Sequence, residues 1–142
     1  MFTYIVDELS ITVPVNGQAI SGSGGVYPST GNLTDISNAV GPITITVIDP
    51  GGGTNNMSIQ PQMNTINSQS GLTNVPAAAL VAQSGASAGL AATFTAIGAT
   101  ASVQTLALIN ELVQRYIAFN VTGASLTHTL TIVVTFLKRY TQ

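Results

Sequence analysis

Apolar and polar residues alternate along most of this chain, and a period of two is the repeat of a β-strand. The segment "LSITVPV" places Leu9, Ile11, Val13 and Val15 on one face and Ser10, Thr12 and Pro14 on the other. Pro14 cannot donate a ladder hydrogen bond, which marks this strand as an edge or as its end. "GPITITVID" sets Ile43, Ile45 and Val47 against Thr44 and Thr46. "MSIQPQM" sets Met57, Ile59 and Met63 against Ser58, Gln60 and Gln62. The Gly-rich "PGGGTNN" between these two strands predicts a β-hairpin, with Pro61 marking a bulge or an exposed edge in its second strand.

The most regular stretch is the last. In "RYIAFNVTGASLTHTLTIVVTF", Ile117, Phe119 and Val121 share a face, and "TGAS" predicts a turn into a final strand. There Leu126, His128, Leu130, Ile132, Val134 and Phe136 share one face, and Thr127, Thr129, Thr131 and Thr135 share the other. Threonine favours strands and keeps a surface wet without charge.

Between these blocks, "NGQAISGSGGVYPSTGN" is dense in turn formers and predicts a long loop or short strands joined by loops. "PAAALVAQ" suits either a short helix starting at Pro76 or an irregular strand. "ATFTAI" and "SVQTLALI" read as strands, and "NELVQ" as a turn or one helical turn. Some eight strands without a strong long helix predict an all-β chain: an antiparallel β-sandwich of jelly-roll or immunoglobulin-like type. It is expected to be a single domain over 1–142, with a flexible N-terminal region around 1–32.

Composition narrows the function. Charged residues make up 6% of the 142, against roughly 25% in an average soluble domain. With three basic residues and a net charge of −2, the chain cannot build the basic surface that nucleic acid or an anionic membrane requires. There is no cysteine for a disulfide framework or a thiolate. The first ten residues, "MFTYIVDELS", lack the pattern of a signal peptide, and no apolar run reaches a membrane span, so a soluble protein is expected. Low charge also leaves sheet edges with few of the lysines that normally guard them, which favours assembly.

Candidate chemistry is sparse. Asp7, Glu8, Asp35, Asp49 and Glu111 are scattered, and His128 is the single histidine. The G-x-S-x-G string at 85–89 runs on into "ATFTAI", which reads as a strand, so it lacks the helix that follows the serine in a nucleophile elbow. A lone histidine on an apolar strand face reads as a hydrogen-bonded core or subunit-contact residue. "PGGGTNN" lacks the lysine and following helix of a phosphate-binding loop. Sequons at Asn32, Asn56 and Asn120 matter only in a glycosylating host. Tyr4, Tyr27, Tyr116 and Tyr140 are candidate sugar platforms but suit core and interface positions better. No catalytic, cofactor-binding or metal-ligating residues are assigned, and no enzyme activity or cofactor is expected.

The order of blocks resembles the tailed-phage head decoration, or capsid cement, proteins. In these a strand leads to a Gly-rich turn, a second strand carries a glutamine, and a closing segment opens on Arg-Tyr-Ile. Here Gln60 stands in the glutamine place, Arg115-Tyr116-Ile117 in the closing motif, and Thr122-Gly123 before the final strand. The likeness spans the chain from about Ser29 onward. It departs where "NSQSG" replaces an acidic turn and where charges near the last strand are missing. The resemblance implies a β-sandwich that binds the outer surface of the major capsid protein shell and stabilises it as a dimer or trimer. Such a protein is made in the host cytoplasm and ends in the virion. A tail, neck or spike module and a carbohydrate-binding β-sandwich are the alternatives.

Overall fold

A computed structural model describes residues 5–30, 32–84 and 92–141. Tyr4 and the side chains of Asp7 and Tyr140 lie outside the described parts. The strands are β1 (Ile5–Tyr27), β2 (Thr34–Asp35), β3 (Ala39–Asp49), β4 (Met57–Asn64), β5 (Thr73–Asn74), β6 (Leu80–Ser84), β7 (Phe94–Ile97), β8 (Ser102–Ile109) and β9 (Tyr116–Thr141). Single 3₁₀ turns cover Ala77–Ala79 and Asn110–Leu112. The "PAAALVAQ" segment is thus both readings in succession, a helical turn and then a strand.

Among the described residues every strand pairing is antiparallel, and the strands join in one nine-stranded sheet. Its spine is the 26-residue β9. Along one side of β9, β4 pairs with Tyr116–Gly123 and β3 pairs with Thr131–Lys138. Along the other side runs β1, from Ile5 opposite Thr141 to Tyr27 opposite Phe119. Strands β8 and β6 extend the sheet beyond β3, while β5 and β7 pair with different parts of β4. The expected antiparallel all-β domain is therefore what forms, and its two layers are halves of one curled sheet that share β9 and β1.

Both predicted hairpins give way to this arrangement. The "TGAS" segment does not reverse the chain. β9 continues through it, with Ser125 at φ 50°, and the opposing irregularity in β1 falls between Gly22 and Gly24. The turn residues bend the strand instead of ending it. Nor do β3 and β4 pair with each other. The "PGGGTNN" link carries the chain from one half of the sheet to the other, so both strands lie against the same edge of β9. Pro61 makes no bulge, since β4 keeps register with β9 from Met57 to Asn64. Pro61 is buried, and its carbonyl accepts the Val75 N–H at 3.0 Å.

The segment 17–27 extends β1 where turn formers predicted loops. Gly17, Gly22 and Gly24 sit at its irregularities, and Gly24 (φ +85°) passes so close to β9 that a Cβ would lie 2.2 Å from the Val121 carbonyl oxygen.

The concave side of the sheet holds the core. Ile43, Ile45 and Val47 from β3, Met57 and Ile59 from β4, and Leu106 and Leu108 from β8 meet the inner residues of β9. On β9 itself, Ile117, Phe119, Val121, Leu126, Leu130, Ile132, Val134 and Phe136 are all buried, as the alternation predicts. Burial of each such side chain contributes roughly 1.5–3 kcal/mol. The first strand differs: Leu9, Ile11 and Val13 point outward and Ser10 inward. The irregularity of β1 between Thr12 and Val15 then returns Val15 to the core.

Candidate functional site

His128 is buried, as its place on the apolar face predicts. Its side chain and that of Asp49 are both 0% exposed, and Nδ1 lies 2.7 Å from Asp49 Oδ2. Nε2 faces the carbonyl oxygens of Thr54 (3.1 Å) and Asn55 (2.8 Å). Carbonyls only accept, so Nε2 is the donor to both. The other oxygen of Asp49 accepts the Gly51 N–H at 2.7 Å. Alternation places Asp49 in the same inward file as Ile45 and Val47, and the pair thereby ties the end of β3 to the middle of β9.

Glycine is required in the link between these elements. A Cβ on Gly53 would stand 2.3 Å from His128 Nδ1 and 2.6 Å from the Thr127 carbonyl oxygen. The Thr54 N–H donates to Thr127 Oγ1 (3.1 Å), and the two threonine hydroxyls lie 2.7 Å apart. A cleft runs beside this link, between Ala19–Ser21 and Gly51–Gly53. Ser21, Thr127 and Thr129 also line it, and the imidazole beside it is hydrogen-bonded at both nitrogens. The arrangement holds structure and offers no free general base.

An ion pair lies on the surface. Arg115 Nη2 lies 2.9 Å from Asp35 Oδ2, and Arg115 Nε donates to both Asp35 oxygens at 3.3 Å. The hydrogen bonds from Arg115 hold the Asp35 carboxyl down at about 2, helped by the Ser37 N–H. The guanidinium also stacks 4.9 Å from the Tyr116 ring centre. The "RYI" motif of the sequence therefore anchors β2 to the start of β9. Among the described residues, no group of three or more His, Cys, Asp and Glu converges as a metal site would. Glu111 stands apart from Asp49 and His128, in the 3₁₀ turn before β9.

The most distinctive surface is the convex face of the sheet. Leu9–Val13 on β1, Thr131–Leu137 on β9, Thr44–Ile48 on β3 and Val103–Ile109 on β8 lie side by side without one charged residue. Leu9 is 58% exposed, Ile11 61% and Val103 61%. Val13, Ile48, Ile109 and Leu137 are exposed too, and threonines fill the spaces between. Alternation predicted a shared face for Leu9, Ile11 and Val13. It held no signal for the direction in which that face points. Among the described residues β1 pairs with β9 alone, and no described strand lies along its other edge.

No family model matches the chain, and no curated protein matches it. Solved structures do. A chain from the disulfide-linked pili of Bacillus endospore appendages is 11% identical, with a TM-score of 0.45 over 99% of this chain and 91% of that one. The SPBc2 prophage-derived protein YomS is 13% identical, with a TM-score of 0.51 over 92% of this chain and 95% of that one. The likeness to YomS is one of fold. Among the described residues, no helix is long and apolar enough to cross a membrane.

Proposed function

We propose that this chain is a structural protein of a phage particle, and that it decorates the outer surface of the capsid and stabilises the shell. The observation that carries the reading is the wide uncharged face of β1, β9, β3 and β8 beside a strand edge that no described strand pairs. Exposed apolar surface of this extent marks a contact surface. An edge strand normally carries lysine or another guard. Between Leu9 and Tyr27 this one carries no charge at all. The prophage origin of YomS, whose fold is similar, supports a phage setting. The sequence resemblance to head decoration proteins supports the capsid as the place.

Such a protein acts by mass action. Binding the finished shell more tightly than the open or immature one stabilises the finished shell. The test is cosedimentation with shells of the encoding phage stripped of this protein. Saturable binding in hundreds of copies per shell is expected. Failure to bind any shell, or binding in a few copies at the tail or neck, would overturn the capsid assignment.

A further inference from the structure

We infer that the N-terminal part of β1 is a self-association edge, and that its occupant is β1 of a second copy, antiparallel across a two-fold axis normal to the sheet. The inference deepens the coat-protein reading by naming one partner of the same uncharged face.

Among the described residues β1 pairs along one side only, and from Ile5 to Thr12 its register with β9 is unbroken. The first irregularity comes at Thr12–Val15, where Pro14 also removes a donor. The stretch from Ile5 to Thr12 is thus a regular strand whose outward N–H and C=O groups no described strand pairs, able to accept another strand. β1 carries Leu9, Ile11 and Val13 on its outer face, 58%, 61% and 45% exposed. A two-fold axis normal to the sheet keeps that face on the same side in both copies. The three apolar side chains of each copy then meet those of the other as cross-strand neighbours, flanked by Leu137 of β9.

Charge selects the partner and the direction. Asp7 and Glu8 are the only charged residues in β1, and both lie at its start. Parallel pairing would stack them on their equivalents. Antiparallel pairing puts them at opposite ends of the joint, where no like charges oppose. A strongly charged partner would find no countercharge from Leu9 to Tyr27. A second copy brings an edge as neutral as this one.

The test is sedimentation equilibrium of the full chain and of two lysine variants at exposed positions, with amide exchange as a second readout. Ile11→Lys sits on the edge strand. Val103→Lys sits on the same outer face but on β8, three strands away. We expect a concentration-dependent dimer, with β1 amides that lose protection on dilution. Ile11→Lys should weaken it about tenfold or more, and Val103→Lys should leave it unchanged. A chain that stays monomeric at millimolar concentration overturns the inference, as does a dimer broken by Val103→Lys and spared by Ile11→Lys. Shell binding is scored separately. Dimers that ignore shells sink the capsid reading and leave this inference standing, and monomers that load onto shells do the reverse.

Discussion

His128 Nδ1 lies 2.7 Å from Asp49 Oδ2 across 79 residues of sequence, and no water reaches either side chain. The contact joins the end of β3 to the bend of β9, where the two halves of the sheet part. Removing one member of a buried pair leaves the other without compensation, which costs about 3–5 kcal/mol. His128→Ala should lose about that much in urea unfolding. Asp49→Asn should also destabilise, and the double variant should cost much less than the sum of the two. Strict additivity would mean that the pair does not couple.

Gly53 fills the space beside the imidazole. Gly53→Ala forces the ring or the link to move, and overpacking of this kind costs about 1–3 kcal/mol. Gly52→Ala at the neighbouring position meets no atom within 4 Å and disturbs only a positive φ of 81°. The first substitution should therefore shift the ring resonances of His128 in an NMR spectrum, and the second should not.

Three glutamines hold the short strand β7 and the residues before it. Gln60 Nε2 donates to the Ala92 carbonyl (3.1 Å) and its Oε1 accepts the Thr93 hydroxyl (2.6 Å). Gln83 reaches the Thr93 carbonyl (3.3 Å) and Gln104 the Thr95 carbonyl (3.1 Å). These side chains from β4, β6 and β8 supply partners that a short strand lacks. Gln60→Ala should cost about 1–3 kcal/mol through the groups left unpaired. Amides of 93–97 should exchange faster while those of β3 and β9 keep their protection. Uniform loss across the sheet would show that β7 does not open by itself.

The surface pair of Asp35 and Arg115 predicts a small acid dependence. Asp35 titrates at about 2 in the fold, from an ordinary 3.8. Its folded value is depressed, so its contribution is present above the ordinary value and fades as pH falls through the folded one. Arg115→Gln should remove the pair's share of the stability change between about pH 4 and pH 2. It should also return the Asp35 carboxyl toward 3.8. Because both groups are largely exposed, the loss should be small and reduced further by salt.

Much of the fold was legible in alternation. The inner file of β9 from Leu126 to Phe136 and the Ile43–Ile45–Val47 file of β3 are buried as the period of two requires. What alternation cannot carry is direction and pairing. Leu9, Ile11 and Val13 share a face, but only the register of β1 on β9 turns it outward. "PGGGTNN" and "TGAS" are true turn formers, yet one crosses between sheet halves and the other bends a continuous strand. A hairpin needs both strands to find each other, and here β9 is long enough to take β3 and β4 in succession. Of the buried pair, His128 was readable as a core residue. Its partner was not, because Asp49 is brought to it by the crossing of the Gly-rich link, which no local pattern records.

Image reconstruction of shells of the phage that the proposed function calls for, with and without the purified chain added back, tests the central claim most directly. The account predicts added density on the outer surface at junctions between capsid subunits, with the outer face of β1, β9, β3 and β8 or the other edge of β1 turned toward a protein neighbour. Shells that gain no density, or density confined to the tail or neck, would contradict it.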